Sequence, residues 1–169
     1  CHGAHDILPE YAAWLRSHAG RIAPMKVAID CGNGAVGAFV LGLLEPFPLA
    51  IVPLFLEPEG MFPNHEANPL KHENLAALRD AVLRERCALG FAFDGDGDRV
   101  AFVDGDGAAL SAEQSTWILL HSFGPNLTGR PFIYDLKFSD LLKRTAASLG
   151  AVPRAERSGH AFIRTTMLQ

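Results

Sequence analysis

Three aspartates stand at alternate positions in the run Phe91-Ala92-Phe93-Asp94-Gly95-Asp96-Gly97-Asp98-Arg99-Val100, separated only by glycine. Gly95 and Gly97 accept positive φ without steric cost, so a chain leaving an extended strand here can fold tightly enough for the three side chains to converge. Unpaired, three carboxylates within a few ångströms repel one another, and a hard divalent cation removes that repulsion. Magnesium prefers near-octahedral oxygen ligation and keeps places for water and a substrate phosphate oxygen. Asp94, Asp96 and Asp98 therefore read as Mg2+ ligands with room for a phosphoryl group. Arg99 adds a planar fork of donors suited to a carboxylate or a phosphate.

Other readings of acidic and glycine-rich runs are weighed by spacing. Asp104-Gly105-Asp106-Gly107 lies between two apolar runs and reads as a hairpin turn. A calcium EF-hand counted from Asp94 needs glycine at its sixth position and glutamate at its twelfth, where Arg99 and Gly105 stand, so that reading fails. Gly32, Gly34 and Gly37 match the GxGxxG spacing of dinucleotide-binding turns. The next strand, however, offers only Glu57 as an acidic ribose partner and contains Pro53, so a tight structural turn is favoured there.

The elements that must position the acidic run follow from periodicity. Asp6 caps a helix through about His18 with Ile7, Tyr11, Trp14 and Leu15 on one face. Met25 to Asp30 is a buried strand. A glycine turn leads into an apolar helix ending near Glu45, and Leu49 to Leu56 is a second strand. A helix from about Glu73 to Arg86 carries Leu75, Leu78, Val82 and Leu83, and the strand Leu89 to Phe93 runs into the acidic loop before Val100 to Val103 returns. This alternation predicts a three-layer α/β sandwich with a mostly parallel sheet, whose ligand edge lies beyond the strand C-termini. A second α/β series follows: helix 112–123, strand 131–135, helix 139–149 and a strand near 151–154. The expected domains are 1–108 and 109–169. The second piece, about 60 residues, is at the small end for an independent core and reads as an incomplete domain of the same type.

Composition sets the class. The 169 residues are 49% hydrophobic, enough for a sizeable core, and carry a net charge of -4. With no basic run, the chain is expected to bind no nucleic acid; with no apolar stretch of about 18 residues, no membrane. Cys1, Cys31 and Cys87 are odd in number and widely spaced, which indicates neither a disulfide framework nor a zinc site and fits a reducing cytoplasm.

Several segments together resemble one family. Asp30-Cys31-Gly32-Asn33-Gly34, Gly60-Met61-Phe62-Pro63-Asn64-His65 with Asn68-Pro69 and Glu73-Asn74-Leu75, and Phe91 to Arg99 are similar to the second domain of the α-D-phosphohexomutases, the phosphomannomutase/phosphoglucomutase group. Tyr134-Asp135-Leu136-Lys137 and Ser158-Gly159-His160-Ala161-Phe162-Ile163-Arg164 resemble the first half of that family's third domain. The resemblance implies a four-domain enzyme. Phosphate would move between the 1- and 6-hydroxyls of a hexose phosphate through a phosphoserine and a bisphosphorylated intermediate, with Mg2+ held by Asp94, Asp96, Asp98 and the phosphoserine. It implies that Arg99 supports the metal or faces phosphate, and that Lys137 and His160 assist proton transfer or orientation near the sugar. Without the family pattern, Lys137 reads equally as a solvated lysine, and His160 as a core or capping histidine. A helix from Phe162 to Leu168, beginning after Gly159-His160, would aim its N-terminus at a ligand phosphate.

The departures are as informative. The chain has no Ser-His-Asn-Pro nucleophile segment, no Gly-Glu-x-Ser-Gly-His sugar loop and no phosphate-clamping fourth domain; Ala161 and Arg164 stand where serine and lysine are usual. The expectation is a middle fragment of a mutase, inactive alone, with the remaining mutase domains on the same parent chain. Two alternatives stay open. One is a HAD-type phosphatase with Asp94 as nucleophile and Asp96 as acid/base, although Asp98 stands where that family wants threonine or valine. The other is a non-catalytic metal or sugar-phosphate binding module.

Overall fold

The computed structural model describes residues 5–169, so Cys1 lies outside the described residues. The chain divides into two compact units, the first ending at Ala109 and the second Leu110–Gln169.

In the first unit, strands β1 (Met25–Asp30), β2 (Leu49–Leu54), β3 (Leu89–Phe93) and β4 (Val100–Asp104) form one sheet in the order β2-β1-β3-β4. β1 pairs in parallel with β2 and β3, and β4 pairs antiparallel with β3, matching Leu89 with Asp104 and Phe93 with Val100. Pro53 is tolerated because β2 is an edge strand, where a missing N–H leaves no ladder bond unmade. Successive side chains point to opposite faces, so the apolar strands are buried on both sides. On one face Ala28, Ala92 and Val103 pack with Leu75, Leu78, Ala81 and Val82; the last three belong to α3 (Ala76–Glu85), which a short 3-10 turn, His72–Leu75, precedes. On the other, Val27 and Ile29 pack with Val36 and Val40. These two helical layers and the mostly parallel sheet are the three-layer α/β arrangement anticipated above. Burying a side chain such as Leu78 contributes roughly 1.5–3 kcal/mol relative to exposure.

α3 ends in a left-handed residue, Arg86 (φ 55°), where the Cys87 N–H donates to the Val82 carbonyl at 2.9 Å and turns the chain into β3. Leu83, expected on the buried face, is exposed. The apolar helix expected after the glycine turn is instead a 3-10 turn, Ala35–Ala38, followed by the five-residue α2 (Val40–Leu44). Val36, Val40, Gly37 and Gly42 all have low helix propensity, which accounts for the break. α1 spans Leu8–His18, and Asp6 Oδ1 accepts from the Leu8 N–H at 3.0 Å. Its expected apolar face is largely exposed at Ile7, Tyr11 and Trp14. Tyr11 and Leu15 line an apolar cavity of about 590 Å³ against Val27, Ile29, Phe91 and Phe93, and are not packed tightly on the sheet.

In the second unit α4 (Ala112–Phe123) starts in a reciprocal cap: the Gln114 N–H donates to Ser111 Oγ and the Ser111 N–H donates to Gln114 Oε1. β5 (Pro131–Asp135) and β6 (Val152–Glu156) pair in parallel across α5 (Asp140–Ser148), and α6 (His160–Met167) follows. Leu120, Leu142, Ala146 and Ala151 form the core. Ala108 accepts from the Asp104 N–H, and the Gly107 N–H donates back to Asp104; Asp104–Gly107 is the turn read from the sequence. No helix among the described residues is long and apolar enough to cross a membrane.

Candidate metal centre

β3 delivers the chain to a six-residue loop, Asp94–Arg99, that turns back antiparallel into β4. The Asp94 N–H donates to the Arg99 carbonyl at 3.2 Å, and the Gly97 N–H to the Asp94 carbonyl at 3.2 Å. Gly97 sits at φ 78°, the left-handed region its missing Cβ makes accessible. The effect is convergence: Asp94, Asp96 and Asp98 each offer a carboxylate oxygen, all within 4.8 Å of one another. Ligands of one hard cation at about 2.0–2.6 Å metal–oxygen distance have that mutual spacing, and an all-oxygen donor set suits Mg2+ or Ca2+ rather than a soft metal.

The three carboxylates are not equivalent. Asp94 is 1% exposed, and a buried charge survives only with partners. The Arg99 N–H donates to Asp94 Oδ1 at 3.1 Å and the Arg99 Nε–H donates to Oδ2 at 2.6 Å. Burial pushes the Asp94 carboxyl up, but these donors from Arg99 outweigh it and hold the group below the usual carboxylate range. Asp98 is pushed up, first by its contact with Asp94 and then by the charge of Asp96. Asp96 and Asp98 are exposed, and Arg99, half-exposed, also lies 3.5 Å from Asp98 Oδ1. The arrangement is one buried anchor and two solvent-facing arms.

The loop rests on the glycine turn after β1. The Ala35 N–H donates to the Gly95 carbonyl at 2.9 Å, and a Cβ on Gly34 would lie 2.8 Å from that oxygen and 3.0 Å from the Asp94 carbonyl. Gly34 is thus required by the close approach of two backbones. Asp30, buried at the end of β1, accepts from the Gly32 N–H through Oδ1 at 2.8 Å, and its Oδ2 faces His65 Nε2 at 3.0 Å. Asn33 donates through Nδ2 to the Glu57 carbonyl and accepts from Asn64 Nδ2. Asp30 and His65 carried no assigned role in the sequence reading; the usable signal was a carboxylate closing the apolar run Val27-Ala28-Ile29.

The other sequence-derived candidates lie in the second unit. Lys137 follows β5 and His160 is the first residue of α6, two residues before the expected start at Phe162. Their two loops are tied by Asp135, whose Oδ1 accepts from the Lys137 N–H at 2.9 Å and from Ser158 Oγ at 2.7 Å. The backbone N–H of Lys137, then Ser158, hold the Asp135 carboxyl below its ordinary range. Arg157 covers the Phe162 ring at 3.5 Å from its centroid. Asp135 was likewise not singled out from the sequence.

Residues 9–107 match the family described as phosphoglucomutase/phosphomannomutase, alpha/beta/alpha domain II. The chain is 36% identical over 162 residues to a phosphomannomutase/phosphoglucomutase of Pseudomonas aeruginosa, covering 96% of this chain and 35% of that protein. A phosphoglucomutase of Neisseria meningitidis is 34% identical over 162 residues, with 96% and 35% covered. A crystal structure of a phosphoglucomutase/phosphomannomutase family protein from Burkholderia thailandensis superimposes with a TM-score of 0.92 at 28% identity, covering 97% of this chain and 36% of that one. The chain thus spans about a third of the length of the curated relatives it matches. By the family match over most of its length, the chain belongs to the phosphoglucomutase/phosphomannomutase family.

Proposed function

We propose that these residues are the metal-binding and part of the sugar-facing portion of a phosphohexomutase that interconverts hexose 1- and 6-phosphates through a phosphoserine and a bisphosphate. Residues 1–108 would be its second domain and 109–169 the first part of its third. The serine-bearing and phosphate-clamping domains would lie on the same parent chain. The carrying observation is the convergence of three carboxylate oxygens within 4.8 Å at the end of β3.

Asp94, Asp96 and Asp98 would hold Mg2+. Bound there, the ion would neutralise charge on the transferring phosphoryl oxygens. Arg99 keeps Asp94 ionised and buried, and its remaining guanidinium N–H groups are free to meet a phosphate oxygen. Lys137 and His160 would orient the sugar phosphate and exchange a proton with the reacting hydroxyl, on loops that Asp135 holds in fixed relation.

Two experiments test this. Mn2+, used as a paramagnetic probe and titrated into the 169-residue chain by electron paramagnetic resonance, should bind, and Asp96→Asn should weaken it at least about tenfold; equal affinity for both overturns the assignment. In the whole protein, Asp96→Asn should lower mannose 6-phosphate/mannose 1-phosphate interconversion by about two orders of magnitude or more. Turnover by the 169 residues alone would refute the division of labour between domains.

A further inference from the structure

His65 presents both ring nitrogens to acceptors. Nδ1 lies 2.9 Å from the Glu66 carbonyl, which can only accept, so Nδ1 carries a hydrogen. Nε2 lies 3.0 Å from Asp30 Oδ2, and Asp30 Oδ1 already accepts from the Gly32 N–H. For the Nε2–Oδ2 contact to be a bond and not a repulsion of lone pairs, one proton must lie between them. The pair is therefore either imidazolium with carboxylate or imidazole with carboxylic acid, and in both forms it holds one proton more than a neutral histidine beside a free carboxylate. Asp30 is fully buried, the His65 side chain is 15% exposed, and the ring meets the edge of Phe55 at 5.3 Å. Burial raises the Asp30 carboxyl above its usual range, against the Gly32 N–H and His65, which lower it. The neighbouring titratable groups are the Cys31 thiol, pushed up to about 11 and hence neutral, and the Glu66–Lys71 ion pair at the surface.

What the pair joins matters most. Asp30 begins the turn whose Gly34 and Ala35 touch the backbone of Asp94 and Gly95, while His65 belongs to the segment whose Phe62 and Ala67 lie over Gly95. Asn33 (φ 58°), Phe55 (φ 52°) and Phe62 (φ 48°) are three of the four non-glycine residues with positive φ among the described residues; Asn33 lies in the turn and Phe62 in the segment that the pair ties together, and Phe55 meets the His65 ring. Such conformations persist only where surrounding contacts over-determine them. Gly95, the residue held from both sides, separates Asp94 from Asp96.

We propose that Asp30 and His65 form a proton-sharing positioning pair that clamps the 62–67 segment to the Gly32–Ala35 turn and thereby fixes the backbone carrying Asp94 and Asp96. Its consequence for metal affinity rests on the metal-site reading above; its structural content does not.

The test uses the 169-residue chain and two readouts: Mn2+ affinity, and hydrogen exchange at the Ala35, Gly97 and Arg99 amides, all bonded to Asp94 or Gly95. His65→Leu, which keeps bulk and removes both donors, should weaken Mn2+ about tenfold and accelerate exchange at the three amides. His65→Gln, whose amide can donate to Asp30, should restore most of both. Leu78→Val, a core substitution matched for lost stability, should leave both unchanged at equal folded fraction. His65→Phe, which keeps a ring and removes both donors, replaces His65→Leu if that variant does not fold and should have the same effects. Unchanged exchange in His65→Leu, absence of rescue by His65→Gln, or the same acceleration in Leu78→Val overturns the pair's role. If the unsubstituted chain fails to bind Mn2+, the metal reading falls, and the exchange measurements still decide the clamp.

Discussion

Gly97→Ala puts the geometry of the acidic loop to the most direct test. Gly97 lies at φ 78°, where an L-residue costs about 1–2 kcal/mol relative to glycine. A Cβ built there would also overlap the Val36 Cγ2 methyl. Val36 is buried among Val27, Ile29, Cys31 and Val40 but, like Gly97, borders the apolar cavity beneath α1, so it can give way part of the distance into that space. Over-packing costs typically about 1–3 kcal/mol, and the adjoining space puts this case at the low end, about 1 kcal/mol. The two effects share one relaxation, so the expected loss is about 1–3 kcal/mol, at or below their sum. In urea, with a slope of about 1–3 kcal/mol per molar, the midpoint of the first unit should fall by roughly 0.5–1.5 M, followed by circular dichroism. Gly42→Ala is the matched control. Nothing lies within 4 Å of a Cβ at Gly42, within helix α2, so alanine there should stabilise by about 0.5–1 kcal/mol. A Gly97→Ala midpoint indistinguishable from that of the unsubstituted chain would refute both the left-handed loop and its seat against Val36.

Arg99→Gln should lower stability at neutral pH and flatten its acid dependence. Because the Asp94 carboxyl is held below its unfolded value of about 3.9, its contribution is full above that pH and is lost as pH falls through the lower folded value; without Arg99 the slope of stability between about pH 4 and 2, read from urea midpoints, should be shallower. An unchanged slope would mean that Arg99 does not hold Asp94 ionised. Asp30 has the opposite sign. Its raised carboxyl favours folding below the unfolded value and ceases to as pH rises through the folded one, so Asp30→Asn should remove a decline in stability on the alkaline side of about pH 4. Cys31 and Cys87 are buried with thiols pushed up by desolvation, so peptide mapping after brief alkylation at pH 8 should find both unmodified in the folded chain and modified in denaturant. Rapid labelling of Cys31 under native conditions would contradict its burial.

The sequence was most readable where one interaction dominated. β3 and the Val27-Ala28-Ile29 segment of β1 are apolar runs that a sheet covered on both faces requires, and the periodic Leu75, Leu78 and Val82 can only be a buried stripe. The acidic run was legible because three carboxylates at alternate positions have no packing explanation. The helix after the glycine turn was misread because apolar content was taken for helical content, although its valines and glycines favour the broken form observed. The stretch from Phe55 to Lys71 carries no period to read. It is shaped by side chain-to-backbone bonds such as Asn33 Nδ2–Glu57 O at 2.9 Å and Asn74 Nδ2–Asn68 O at 2.9 Å, whose partners stand far apart in sequence or outside any regular element. Asp135 was hidden for a related reason: its two bonds join loops that only the pairing of β5 with β6 brings together.

Strand direction decides where the chemistry collects. In a parallel pair both strands end at the same edge, so the residues that follow them meet without any further device. β1 ends at Asp30 opposite Leu54 of β2 and Ala92 of β3, which brings the Asp30 carboxylate, Phe55 and the Asp94 loop to one edge of the first unit. β5 and β6 repeat the arrangement, with Asp135 opposite Glu156, so Lys137 and the Ser158–His160 loop begin side by side. In each unit an aspartate at that edge accepts from the backbone N–H two residues on and is hydrogen-bonded to a side chain of the neighbouring loop: Asp30 with Gly32 and His65, Asp135 with Lys137 and Ser158. The strand-terminal aspartates are therefore the residues by which each sheet edge is converted into a fixed pair of loops.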